Sequence, residues 1–175
     1  MEPYQIILLI VVIVSFIYVS IVVYVMTQMN EFKSRLKKRR HGLSTLLYER
    51  SNILRSIIAL FEKEGVTFTE EDKACFASFD ALAFKKYDDD TIREEAELVK
   101  MTTSRLKYLA QANRWACKHE SFEGYVDLLK DLERNYRIVV SKYNMDVGAY
   151  NYWIAVPTVS WVGWLVGFRK KSTLS

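Results

Sequence analysis

The chain is 175 residues long, 50% hydrophobic and 26% charged, with only six glycines and two prolines. That is too apolar for a disordered chain and too poor in turn formers for an all-β domain. Two cysteines and two histidines leave little material for a disulfide scaffold or a four-ligand zinc site. The net charge of +4 sits at the ends: residues 31–40 carry +5 and Arg169, Lys170 and Lys171 add +3, whereas residues 41–168 hold 16 basic against 19 acidic residues. No basic stripe runs over the middle, so nucleic acid is not an expected partner.

Residues 6–26 contain no charge, and their only small polar side chains are Ser15 and Ser20. As a helix such a run covers roughly 30 Å, the thickness of a bilayer's hydrocarbon core. Isoleucine and valine dominate it, but lipid demands internally satisfied backbone, which selects helix over strand. Tyr4 and Tyr24 stand near its two ends, where amphipathic aromatics prefer to lie. A cleaved signal peptide would need a basic start, a shorter apolar run and a small-residue cleavage site, and all three are lacking. Residues 1–29 are therefore read as a retained transmembrane anchor.

Only the α-amine and Glu2 precede the span, while Lys33, Arg35, Lys37, Lys38, Arg39 and Arg40 follow it. The positive-inside rule then puts the amino terminus outside and the remainder in the cytoplasm. Six basic residues in eight positions beside a membrane also predict seating on anionic lipid, at about 1 kcal/mol per residue.

Beyond the span, Leu36, Leu43, Leu47, Leu54, Ile57 and Phe61 recur at helical spacing with no proline between them. The membrane helix is expected to continue as the first helix of a domain, stopping at Gly65. Thr67 to Asp72 reads as a second helix start, a capping threonine before an acidic turn. This helix should reach Lys86, burying Cys75 or Phe76, Phe79 and Leu82 or Ala83. Thr91 and Glu94 form a capping box for a third helix, burying Val99, Leu106, Leu109 and Ala116. A fourth helix from Ser121 carries the stripe Phe122, Tyr125, Leu129, Leu132, Tyr136, Val139, Tyr143, Val147 and Tyr150. The connections are short, so residues 30–151 are predicted to form an antiparallel four-helix bundle, and the fold class is all-α.

An up-down-up-down order returns the end of the fourth helix to the membrane. There lies residues 152–168, uncharged, with Trp153, Trp161 and Trp164, followed by Arg169, Lys170 and Lys171. Seventeen residues interrupted by Pro157 and two glycines favour an interfacial or re-entrant segment over a second span.

Glu133, Tyr143-Asn144, Val147, Tyr150-Asn151, Pro157 and Gly167-Phe168 stand at the spacing of the carboxy-terminal signature of the LemA family, which this chain resembles. The resemblance implies a bacterial inner-membrane protein with one amino-terminal membrane helix and a helical bundle, and it implies no enzyme activity. Relatives carry an arginine at the position of Val140, so Glu133 is expected to find another partner here. Tyr143 and Tyr150 are seven apart and share a helix face, with Asn144 and Asn151 on the adjacent one. That pattern serves either a structural polar seam between the fourth and first helices or an interface with another protein or a second copy.

Chemistry is sparse. Cys117 and His119 with Cys75 make at most three metal ligands, and Asp88, Asp89 and Asp90 read as a solvated lead into a helix cap. His41 and His119 stand beside no nucleophile with an orienting carboxylate, and no glycine-rich phosphate loop is present. The expectation is a non-catalytic interaction or scaffolding protein without cofactor, with anionic lipid and an unidentified membrane or cytosolic protein, or a second copy, as partners. The rival expectation is a sensory or regulatory subunit holding a small ligand between the helices.

Overall fold

The computed structural model describes residues 2–81, 88–156, 160 and 167–174, and of Ala116 only the backbone. The expected burial of Leu82, Ala83 and Ala116, and the roles given to Pro157, Trp161 and Trp164, lie outside the described residues. All described regular structure is helical. Helix α1 spans Pro3–Lys63, α2 Glu70–Ala81, α3 Asp89–Ala112 and α4 Glu120–Ala155, with a 3-10 turn at Ala116–Lys118. The chain divides into two compact units: Met1–Lys37 with Asn144–Thr173, and Lys38–Tyr143 with Leu174–Ser175.

The first unit contains the start of α1, which is long and apolar enough to cross a membrane, its most apolar 18-residue stretch wholly unburied. Ser20 and Thr27 return their hydroxyls to the carbonyls of Phe16 and Val23, so neither presents an unpaired donor. Burial begins at Val25 and Met29 and resumes at Leu36. Across this unit Val147, Tyr150 and Phe168 are also buried. The tail turns at Gly167, whose φ of +77° is the left-handed conformation glycine adopts without penalty. Phe168 then lies beneath the Lys33 ammonium, 3.9 Å from its ring centroid.

In the second unit α1 ends as a Schellman motif. Gly65 N–H donates to Glu62 O and Val66 N–H to Phe61 O, with Gly65 at φ +75°. Helix α2 opens with a capping box. The Thr69 N–H donates to Asp72 Oδ2 at 2.8 Å, and the Asp72 N–H donates to Thr69 Oγ1 at 3.3 Å. Helix α2 packs on α3. The start of α3 differs from expectation: Asp88, not Thr91, is the N-cap, accepting from the Thr91 N–H at 2.8 Å. An aspartate with two more behind it suits both the orphan N–H groups and the positive helix end, so it takes the cap three residues earlier. Helix α3 stops at Ala112, capped by Asn113, which leaves Ala116 in the 3-10 turn. Helix α4 begins at Glu120 and runs four residues past Asn151.

The core of this unit is the predicted stripe on α1: Leu43, Leu47, Leu54, Ile57 and Phe61 are all buried. Phe61 stacks on Phe122 of α4, centroids 5.7 Å apart. Leu60 of α1, Val66 just beyond it, Phe76 and Phe79 of α2, Ile92, Val99, Leu106 and Leu109 of α3 and Leu129, Tyr136 and Tyr143 of α4 join it.

Candidate functional site

The six basic residues after the apolar stretch do not share one environment. Lys33, Arg35, Lys37 and Lys38 are exposed, and Arg35 pairs with Glu31 one turn back. Arg39 and Arg40 are half-buried. Arg40 turns into the protein, where its guanidinium donates to Asp89 at 2.8 Å. The Tyr143 hydroxyl donates to the same carboxylate at 2.9 Å. Asp89 thus joins α1, α3 and α4 and is not the solvated residue its sequence context suggested. Burial first, and the hydrogen bond to Asp89 second, push the Tyr143 phenol up to about 12.

Of the tail residues, Trp153 and Lys171 are half-buried, and Arg169 and Lys170 are exposed. Asn151 bonds the backbone of Lys171 through both ends of its amide. Glu133, half-buried, pairs with Arg137 one turn on, which supplies the partner its neighbour Val140 could not. That hydrogen bond, with help from Arg50, holds the Glu133 carboxyl below its usual range.

Three charged residues whose burial no motif predicts are buried. Arg50 is 6% exposed, Glu95 5% and Asp72 not at all. Each stands in step with an apolar stripe: Leu47, Arg50, Leu54 on α1; Ile92, Glu95, Val99 on α3; Asp72, Phe76, Phe79 on α2. A charge standing at a core position of the three-and-four pattern is the sequence signal that finds them.

Their surroundings differ. Burial opposes ionisation of Asp72, but hydrogen bonds from Arg105 and Thr69 outweigh it and bring the carboxyl below its usual value. The Arg105 Nε–H donates to Asp72, so the charge is matched where it is sealed. Glu95 has no such match: burial pushes its carboxyl up, Arg55 offsets this only through space, and Oε2 has no hydrogen-bond partner. Arg50 lies 5.4 Å over the Tyr136 ring, and its Nε is buried without a hydrogen-bond acceptor.

Arg50 also lines a cavity of about 350 Å³, together with Arg93, Lys100, Glu133, Tyr136 and Arg137. A neighbouring cleft of about 540 Å³ shares Glu133 and Arg137 and adds Lys107, Lys130 and Arg134.

Cys75 and Cys117 are free and half-buried. The Cys117 thiol donates to Ala110 O at 3.5 Å, and burial pushes it up, away from the nucleophilic thiolate. Cys75 lies 3.8 Å from the Thr102 hydroxyl. Among the described residues no three of His, Cys, Asp and Glu converge on a point that would suit a metal.

Comparison with family models, with curated proteins and with solved structures finds no match for this chain.

Proposed function

We propose that this is a non-catalytic membrane protein of the LemA type, anchored by residues 6–26, whose remaining helices form an antiparallel four-helix interaction module. The observation that carries the reading is the single helix Pro3–Lys63, apolar and unburied at its start and core-forming at its end. Apolar side chains left unburied over more than four turns need another apolar medium, and a bilayer supplies it. The order of contacts supports the bundle: Phe61 meets Phe122 and Arg50 meets Tyr136, so advancing along α4 means retreating along α1.

In this reading Lys37 and Lys38, exposed on α1 beyond the span, face anionic headgroups on the cytoplasmic side of a bacterial inner membrane. Trp153 and the basic Arg169 and Lys170 give a second, weaker contact with the interface. The partner is a membrane or cytosolic protein, or a second copy.

Topology is the test. Cys75 and Cys117 are replaced and Glu70, 89% exposed on its side chain, becomes Glu70→Cys. Intact cells are then treated with an impermeant maleimide. Protection that disappears on lysis, in protein resistant to carbonate extraction from membranes, is the expected result. Labelling of intact cells overturns the orientation, and release by carbonate overturns the anchor.

A further inference from the structure

A buried guanidinium is the costliest cation to leave without an acceptor, because it remains charged at every physiological pH. Arg50 is in that position, 6% exposed with Nε unpartnered. The carboxylate that acts on it does not answer it. Glu133 accepts its hydrogen bond from Arg137 and reaches Arg50 only through space. Tyr136 offers a ring face, which attracts the cation but accepts none of its N–H groups.

The cavity beside Arg50 has room for the missing acceptor. At about 350 Å³ it lies in the usual size range of small-molecule sites. Its charged lining is Arg50, Arg93, Lys100 and Arg137 against Glu97 and Glu133, an excess of two positive charges. Arg93 is held by Asp90 at 3.4 Å and Arg137 by Glu133, so the lining is braced. The adjoining cleft continues the same sign with Lys107, Lys130 and Arg134 around the shared Glu133.

We propose that this cavity, floored by Arg50 and walled by Arg93, Lys100 and Arg137, is a binding site for a small ligand bearing carboxylate or phosphate groups. The guanidinium fork matches either oxyanion with two parallel hydrogen bonds. The Tyr136 ring lies 5.4 Å from the centre of that fork and attracts the cation. Glu97 and Glu133 disfavour a ligand that fills the whole lining with negative charge, which limits the class to small anions. The site goes beyond the membrane-anchored interaction reading and would give the module a metabolite-dependent state.

The experiment uses the full chain in neutral detergent, with inorganic phosphate in one arm and citrate in another, against chloride at equal ionic strength. Phosphate and citrate stabilise most folded proteins by exclusion from the surface, so the readout is the melting shift relative to variants. Wild type should gain saturable stability in at least one arm, and which arm responds assigns phosphate or carboxylate. Arg50→Met, which replaces a buried charge by an apolar chain of similar length, should retain the fold and lose the saturable component. Lys100→Gln, on the exposed wall, should weaken the apparent affinity several-fold, and Glu97→Gln should strengthen it. The last change separates binding from structure, since loss of a wall carboxylate gives no reason for tighter anion binding elsewhere. Absence of a saturable shift in wild type, or its persistence in both Arg50→Met and Lys100→Gln, overturns the proposal. Loss of the shift in a Lys37→Gln, Lys38→Gln double variant with Arg50 intact also overturns it, by moving the anion to the basic stretch of α1.

Discussion

Asn151 and Lys171 are joined by two hydrogen bonds: the Asn151 amide donates to Lys171 O at 2.8 Å, and the Lys171 N–H donates to Asn151 Oδ1 at 2.9 Å. A side chain here imitates a strand partner, satisfying both backbone groups of one tail residue. It gives the second Tyr-Asn pair a structural use that its helix face alone did not indicate: the amide holds the chain after α4. With Phe168 buried and under Lys33, the tail is fastened at two points three residues apart.

Asn151→Asp is the informative variant. A carboxylate still accepts from the Lys171 N–H but meets the Lys171 carbonyl with like partial charge. The expected result is faster tryptic cleavage at Arg169, Lys170 and Lys171, at a stability cost of about 1 kcal/mol. Equal cleavage rates for wild type and variant would show that the two bonds do not hold the tail.

The Asp89 junction makes a second prediction. Tyr143→Phe removes a hydrogen bond to an ionised acceptor while Arg40 keeps the Asp89 charge matched. A loss of about 1.5–3 kcal/mol is expected, read from thermal unfolding of the full chain in detergent. The phenol's folded pKa lies above its unfolded value, so its contribution is complete below pH 10 and fades as pH rises toward about 12. An ultraviolet titration in which every tyrosine ionised near 10 would contradict this assignment.

Much of the architecture was legible. The uncharged stretch of residues 6–26, the absence of proline up to Gly65 and the stripe from Leu43 to Phe61 dictate one long helix, and Pro3–Lys63 is one. Tyr143, Val147 and Tyr150 are buried as their spacing requires. The polar interior is only partly legible: a charge at a core position marks Arg50, Asp72 and Glu95, but nothing near them in sequence names what each one meets. Asp72 reads as an acidic first-turn residue, which it is. The same position also faces α3, and the chain folds Arg105 onto it from 33 residues away. Long-range pairing of this kind has no local signature. The cap of α3 falls at Asp88 rather than Thr91 for a simpler reason: both are good caps, and local preference alone does not rank them.

Asp72 and Glu95 make opposite predictions for pH, which tests the buried charges as a pair. The Asp72 carboxyl is below its unfolded value, so it stabilises the fold above about pH 5 and ceases to do so as pH falls through the folded pKa. Asp72→Asn should therefore cost about 1.5–3 kcal/mol at pH 7, with the difference from wild type shrinking toward pH 3. A difference independent of pH would show that shape, rather than the Arg105 pairing, is what Asp72 supplies.

Glu95 runs the other way. Burial raises its folded pKa above the unfolded value, so the folded state holds its proton more tightly and stability falls as pH rises between the two. Below about pH 3 the carboxyl is neutral in both states and costs nothing. When ionised, the buried carboxylate carries Oε2 without a donor, and Arg55 relieves it only at a distance. Glu95→Gln removes the charge, keeps the shape and brings an N–H group in place of one oxygen. It should raise the stability at pH 7 by about 1–3 kcal/mol and leave the stability at about pH 3 unchanged. The measurement is the pair of melting curves at the two pH values for wild type and variant. A Glu95→Gln protein less stable at pH 7 would mean that Glu95 is matched by a partner cation, and that its carboxylate supports α3 rather than opposing it.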